Sequence, residues 1–306
     1  MTDGGSTILL YHGVTATPSC GIENFSSKHL AAAEFERQMM HLASSCNPIT
    51  LREMAVRLTQ GEPLPPKSVA VTFDDTFRNN ATVALPILHR YGIPATFFVT
   101  TGLVGTDRKF WVDRLEHAIN YTALQKMPSP LVGDKRIFDL ATNRARISTV
   151  VALKSEMKAM SVFEREETLA RFDEICPSSK KSEAVINYQN LTWEDVRRLS
   201  NPPDYEVGGH TVNHEILSRL DDDSLRSEIY DCIRTLSEQL ALSIDLFSYP
   251  EGQEEHFNDY VIDILKSAGI VTCPTAIDGI NYPGADPFLL RRVMVGFMGQ
   301  SFPFDA

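Results

Sequence analysis

The sequence predicts an α/β fold, an irregular or incomplete (β/α) barrel of about seven parallel strands with a helical insertion. Three observations predict it. Short β-branched runs alternate with longer amphipathic stretches, the order of parallel strands joined by helical crossovers. Several of those runs end in side chains capable of chemistry, and barrels carry their reactive groups at the carboxyl ends of strands. From about 105 to 190 the alternation gives way to charged, helical sequence without clear strands, after which strands resume. An open doubly wound sheet is the second architecture compatible with this order.

Thr7-Ile8-Leu9-Leu10-Tyr11 reads as the first strand. Leu30 to Ser44 follows as a helix with Phe35, Met39 and Leu42 on one face. The Pro-rich stretch from Gly61 to Lys67 is a connection. Val69 to Phe73 is a continuous apolar run, the kind buried on both faces. A helix from about Asn80 to Tyr91 stops at Gly92 and Pro94, and Ala95 to Val99 is the next strand. The insertion includes a helical stretch from Lys154 to Glu174. Thr192, with Asp195 three residues on, caps a helix start. Then come a strand at Tyr205 to Gly208, a helix from Asp222 to Leu240, and a strand at Asp245 to Tyr249. A helix from His256 to Ala268, a strand at Ile270 to Thr272 and a closing strand from Leu289 to Val295 complete the set.

The 306 residues carry 29 basic and 40 acidic side chains, a net charge of −11, with 43% hydrophobic and 23% charged residues. Those proportions exclude a disordered, collagen-like or coiled-coil chain. The acidic balance argues against nucleic acid or an anionic membrane as partner, since both need a basic face. No apolar run is long enough for a transmembrane helix. The first residues show no basic region followed by an apolar stretch, and five scattered cysteines form no C-x-x-C pair. A cytoplasmic setting is the expectation.

Four strand ends carry candidate chemistry. Asp74 and Asp75 follow the second strand, and two adjacent carboxylates are costly without a positive partner, of which a metal ion is the simplest. Capping of the next helix near Arg78 and Asn79 is the plain structural alternative for that pair. His210 and His214 lie in Gly208-Gly209-His210-Thr211-Val212-Asn213-His214, where i, i+4 histidines on a helical turn can share one metal. An isolated pair of that spacing is more often unrelated surface or core histidines. One Asp with two His, however, is a hydrolytic metal set that leaves positions open for water and substrate. Zinc in such a set lowers the pKa of bound water to about 7 and polarises a carbonyl. Phe247-Ser248-Tyr249-Pro250-Glu251-Gly252 ends in a tight turn whose backbone N–H could face an oxyanion, although such turns commonly just link strand to helix. His12 ends the first strand and is a candidate general acid, the alternative being a packed core histidine.

Taken together these segments resemble the polysaccharide deacetylase family, the NodB-homology domain of carbohydrate esterase family 4, from about Leu9 to Val295. Thr72-Phe73-Asp74-Asp75 resembles its first motif, His210 to His214 its second and Phe247 to Gly252 its third. The resemblance implies one catalytic domain over residues 1–306 with the insertion at about 105–190. It implies Asp74 as catalytic base and Asp75, His210 and His214 as ligands of a divalent metal, most often zinc. It also implies the backbone N–H of Glu251 as oxyanion donor. The pattern departs in places. Ser248 stands where the third motif has Arg, Thr76 where Gly follows the Asp pair, and Glu251 where an aromatic is common. No C-terminal L-x-H motif supplies the acid histidine, but Leu10-Tyr11-His12 is similar to the rearranged order of poly-N-acetylglucosamine deacetylases. Arg292 is the candidate to replace the missing Arg beside Asp74, and Arg291 is an equal one, because neighbours on a strand point to opposite faces.

The implied activity is metal-dependent removal of the N-acetyl group from an N-acetylated sugar or polysaccharide, with that carbohydrate as partner. The alternatives are hydrolysis of another linear or cyclic amide, allantoinase-like, on the same fold, and a carbohydrate-binding protein without catalysis. Phe110 and Trp111 could stack on a sugar ring, with buried packing as their ordinary fate.

Overall fold

The computed structural model describes residues 4–178, 185–200 and 204–304, so the stretch 179–184 of the expected insertion lies outside it. The chain divides into two compact units, one made of Met1–Ala16, Ser26–Thr106 and Asn190–Ala306, the other of Thr17–Phe25 and Asp107–Gln189.

In the larger unit a parallel sheet runs in the order Val293–Met294, Thr7–Tyr11, Ser68–Phe73, Ala95–Val99, Tyr205–Gly209, with Asn47–Pro48 beside the start of Ser68–Phe73. Beyond Gly209 the pairing continues as single parallel bridges, Gly209 to Phe247 and Leu246 to Thr272. Main-chain hydrogen bonds from Thr275 to Leu290 and from Arg292 to Ile277 carry it round to Val293, next to the first strand. This is an irregular barrel whose later strands are frayed. The expected strands at Asp245 to Tyr249 and Ile270 to Thr272 are reduced to those bridges, and Leu289 to Val295 is regular only at Val293–Met294. Their backbone groups bond to side chains and loops instead: the Ser248 carbonyl accepts from His210 Nδ1, and Arg291 N–H donates to Asn281 Oδ1.

Helices follow the strands as the crossover rule requires. Ala32–Ser45 buries Phe35, Met39 and Leu42. A helix not anticipated above, Leu51–Thr59, starts at Thr50, whose side chain accepts from the Glu53 N–H. The expected helix after Asp75 is a π-helical turn, Asn80–Ala84, running into Leu85–Tyr91, and Gly92 closes it in the left-handed conformation. Trp193–Leu199 carries the expected Thr192–Asp195 capping box. The stretch from Asp222 to Leu240 is three consecutive segments, with a π turn at Ser227–Asp231 between two α-helices. Strand alternation sorts the side chains. Ile8, Ala70, Phe98, Leu246 and Leu290 join one apolar cluster, and the residues two or four places further along those strands reach the carboxyl rim.

The smaller unit contains helices Trp111–Tyr121, Asn143–Lys158 and Val162–Ile175. Lys154 to Glu174 is thus two helices, restarted at Ser161 by a capping box with Glu164. An antiparallel hairpin, Lys126–Pro128 with Ile137–Asp139, corrects the expectation of no strands in this region. Its core gathers Ile22, Leu115, Ile119, Met127, Leu153 and Phe172. Phe110 is buried, and the Arg165 guanidinium lies 5.6 Å over the Trp111 ring. No helix among the described residues is long and apolar enough to cross a membrane.

Candidate active site

The carboxyl rim is built from side chains of one strand parity. Thr72 and Asp74 share a face, as do Leu246 and Ser248, and Leu290 and Arg292. Asp74 is buried against Arg292, which is 0% exposed. Arg292 Nη1 donates to Asp74 Oδ1 at 2.7 Å and Nη2 to Oδ2 at 2.8 Å, the forked geometry a guanidinium gives a carboxylate. Nη2 also donates to Ser248 Oγ at 2.8 Å, whose hydroxyl donates on to Asp74 Oδ2 at 3.2 Å. Nε donates to the Thr275 carbonyl at 2.6 Å and Nη1 to Thr72 Oγ1 at 3.3 Å. Burial alone would push the Asp74 carboxyl up, but the Arg292 charge and its hydrogen bonds outweigh it and hold it at about 2.

Asp75, His210 and His214 come together beside this pair. One potential ligand atom from each lies within 4.8 Å of the other two. His214 Nε2 is 3.3 Å and His210 Nε2 3.8 Å from Asp75 Oδ1. His210 Nδ1 donates to the Ser248 carbonyl at 2.9 Å, which leaves the Nε2 lone pair facing Asp75. Burial pulls the His210 pKa down, so the ring is neutral, the form that binds metal. One carboxylate oxygen and two imidazole nitrogens suit a divalent metal ion. Asp75, Thr211, His214 and Glu251 all have left-handed backbone, with φ of 73°, 64°, 62° and 61°. Such strain in non-glycine residues collects at functional sites.

His210 and His214 do not lie on a helical turn, as the spacing suggested. They sit on an irregular loop, and two left-handed residues, not helical periodicity, bring the rings together with centroids 4.8 Å apart. Gly208 and Gly209 both lie in the strand. A Cβ on Gly208 would fall 2.7 Å from the Leu246 carbonyl, and one on Gly209 2.6 Å from the Phe247 ring, so close packing demands them. Glu251 occupies its turn at left-handed φ, and the Gly252 N–H donates to the Pro250 carbonyl at 2.7 Å. The His12 ring lies 5.6 Å from Phe297, and its Nδ1 has no protein partner among the described residues. Burial lowers its pKa to about 4, against the opposing pull of Asp74, while the Lys28 and Arg292 charges lower it further. Arg291 is exposed and donates to the Asp278 carbonyl, so it is Arg292 that meets Asp74.

Ser248, Thr275 and Glu228 escaped the sequence reading as parts of the site. Ser248 had registered only as a departure from a motif, yet strand parity with Leu246 could have placed it beside Asp74. No local pattern marks Thr275, which acts through its carbonyl, or Glu228, whose carboxylate meets the loop of His210 and His214.

The polysaccharide deacetylase family matches residues 61–133 and 138–273. The poly-β-1,6-N-acetyl-D-glucosamine N-deacetylase of Staphylococcus aureus (strain MSSA476) is 37% identical over 87 residues, 28% of this chain and 29% of that protein. The chain spans half or less of the length of the curated relatives it matches. The deacetylase PplD of Streptococcus pyogenes, solved in complex with acetate, has a TM-score of 0.62 at 19% identity, covering 97% of this chain and 94% of that one. IcaB from Ammonifex degensii gives 0.59 at 20% identity, covering 95% and 92%. At these identities the structural likeness is one of fold.

Proposed function

The chain belongs to the polysaccharide deacetylase family, and from that premise we propose that it hydrolyses the N-acetyl group of an N-acetylated sugar or polysaccharide, releasing acetate. The observation that carries the proposal is the meeting of Asp75, His210 and His214 beside an Asp74 held by Arg292. Asp75, His210 and His214 are the residues to hold a divalent cation, with zinc the best match to the donor set. When bound, such an ion supplies Lewis acidity toward a water and an acetyl carbonyl. Asp74 accepts the proton of the attacking water, and Arg292 with Ser248 keeps its carboxylate ionised and aimed. The Glu251 backbone N–H donates to the carbonyl oxygen as negative charge develops there. His12 delivers a proton to the departing nitrogen as the C–N bond breaks. The water thus gives its oxygen to the acetyl group and its proton to the amine.

The Staphylococcus aureus relative supports N-acetylglucosamine polymers as the substrate class. Five free cysteines support a reducing, cytoplasmic setting. Acetate release from N-acetylglucosamine oligomers tests the activity. A chelator should stop it and added zinc restore it, and Asp74→Asn should keep the metal but lose turnover. Turnover that survives exhaustive chelation would falsify the metal role. A panel that includes cyclic ureides separates this activity from an allantoinase-like one. Sugar binding without acetate release by metal-loaded protein would mark a non-catalytic binder.

A further inference from the structure

The loop that carries His214 is held from behind by one buried carboxylate. Glu228 lies in the π turn Ser227–Asp231 and is buried. Its Oε2 accepts from the backbone N–H of Val212 at 2.8 Å and of Asn213 at 2.8 Å. Its Oε1 accepts from Asn213 Nδ2 at 2.7 Å. On the other side the loop is strapped to the end of Ala95–Val99, where Gly102 N–H donates to the Val212 carbonyl at 2.8 Å and Thr101 N–H to the Thr211 carbonyl at 3.1 Å. A Cβ on Gly102 would fall 2.6 Å from the Val212 carbonyl, so that approach admits only glycine without movement.

This clamp encloses a strained segment. Thr211 and His214 are both left-handed, a conformation that costs any residue with a Cβ and persists only where the surroundings over-determine it. The Val212 and Asn213 amides between them converge on one carboxylate, and hydrogen bonds to a charged acceptor are roughly twice as strong as neutral ones. His210 is fixed through its own ring by the Ser248 carbonyl. His214 Nε2 lies 3.3 Å from Asp75 Oδ1 on a backbone that is left-handed at both Thr211 and His214.

We propose that Glu228 is a positioning residue, and that its carboxylate holds the 211–214 backbone in the left-handed form that aims His214 at Asp75. The proposal rests on the metal-site reading above only for its consequence for metal affinity. Its structural half stands apart from that reading. Any ion bound at the triad then depends on a side chain that never touches it, and this dependence acts through the 211–214 backbone.

Three proteins test it: the full chain as it stands, Glu228→Ala, and Glu228→Gln, which keeps the size and one acceptor oxygen but loses the charge. Cobalt(II) serves as the probe because its visible spectrum reports the ligands. The expected result is a fall in cobalt affinity of about 10–100-fold for Glu228→Ala, the usual range for outer-shell partners of metal ligands. Glu228→Gln should fall between, and the Glu228→Ala spectrum should shift toward that of a His214→Ala protein. In parallel, hydrogen exchange is followed on the peptide covering 210–215 in chelator, where the amides of Val212 and Asn213 should exchange faster in both variants. Faster exchange with no cobalt uptake even by the unaltered protein removes the metal reading and leaves Glu228 as the positioner of the loop. Unchanged exchange, or an unchanged cobalt affinity and spectrum in a folded Glu228→Ala protein that binds cobalt, overturns the proposal. If Glu228→Ala does not fold, Glu228→Gln decides on the same two readings.

Discussion

Replacing Arg292 by Met should destabilise the protein more than any comparable surface change. A guanidinium has five N–H donors, and Arg292 places them on Thr275, Thr72, Asp74 twice and Ser248. A carboxyl with an ordinary value of 3.8 is held at about 2 in Asp74. At about 1.4 kcal/mol per pH unit, that gap corresponds to roughly 2 kcal/mol of stability at neutral pH. Because the native value is depressed, this stability is complete above about pH 4 and is lost as pH falls toward 2. Removing the cation also strands a buried anion, which brings the expected loss to about 3–5 kcal/mol. Urea unfolding in chelator, so that no bound ion adds stability, measures it. The decisive comparison is Arg292→Met with Asp74→Asn in one chain. Deleting both charges should recover part of the loss, since the stranded carboxylate is gone. A single variant within about 1 kcal/mol of the unaltered protein, or a double variant no better than the single, would refute the claim that the pair is held by its charge.

Three further outcomes follow from the same contacts. Ser248→Ala removes a hydroxyl bonded to both Arg292 and Asp74 but leaves their fork intact, so it should cost about 1–3 kcal/mol in urea unfolding and spare metal binding. Gly209→Ala puts a methyl 2.6 Å from the Phe247 ring and 3.1 Å from Cys232 Sγ, an overpacking expected to cost about 1–3 kcal/mol, measured by thermal melting. Asp75→Ala removes the only carboxylate of the three-residue set, and calorimetric titration with zinc should find no stoichiometric high-affinity site.

How much of this could be read from the chain differs by element. Thr7–Tyr11 and Ala95–Val99 match the sequence reading because continuous apolar runs between turn residues have few other fates. The strand-end positions of Asp74 and His12 were legible for the same reason, since a strand end fixes where the next side chain goes. Leu51–Thr59 was missed although Thr50 and Glu53 write a capping signature directly before its apolar face. The frayed strands after Gly209 were not legible, because side chains and loops distant in sequence capture their backbone groups. The left-handed residues at Asp75, Thr211 and His214 were equally hidden. None is glycine, so composition carries no trace of the strain.

The two titrating groups at the rim make a last prediction about the pH profile. Asp74 is held at about 2 and His12 at about 4, so at neutral pH the resting site has an ionised base and a neutral imidazole. Neither holds the proton that the departing nitrogen needs. On the proposed route it comes from the attacking water, passes to Asp74 and reaches the amine through His12 within one turnover. A cation in the neighbouring triad adds positive charge and pushes both values lower still, so the resting forms are unchanged by metal. The expected profile of kcat/KM between about pH 5 and 8 therefore has no limb near 6.5, the ordinary value of a histidine, that belongs to His12. Any limb from the acidity of the attacking water is shared with a His12→Asn protein, whose profile should have the same shape at a lower level. A limb near 6.5 that disappears in His12→Asn would mean the imidazole is protonated at rest, and the single-proton route would have to be abandoned.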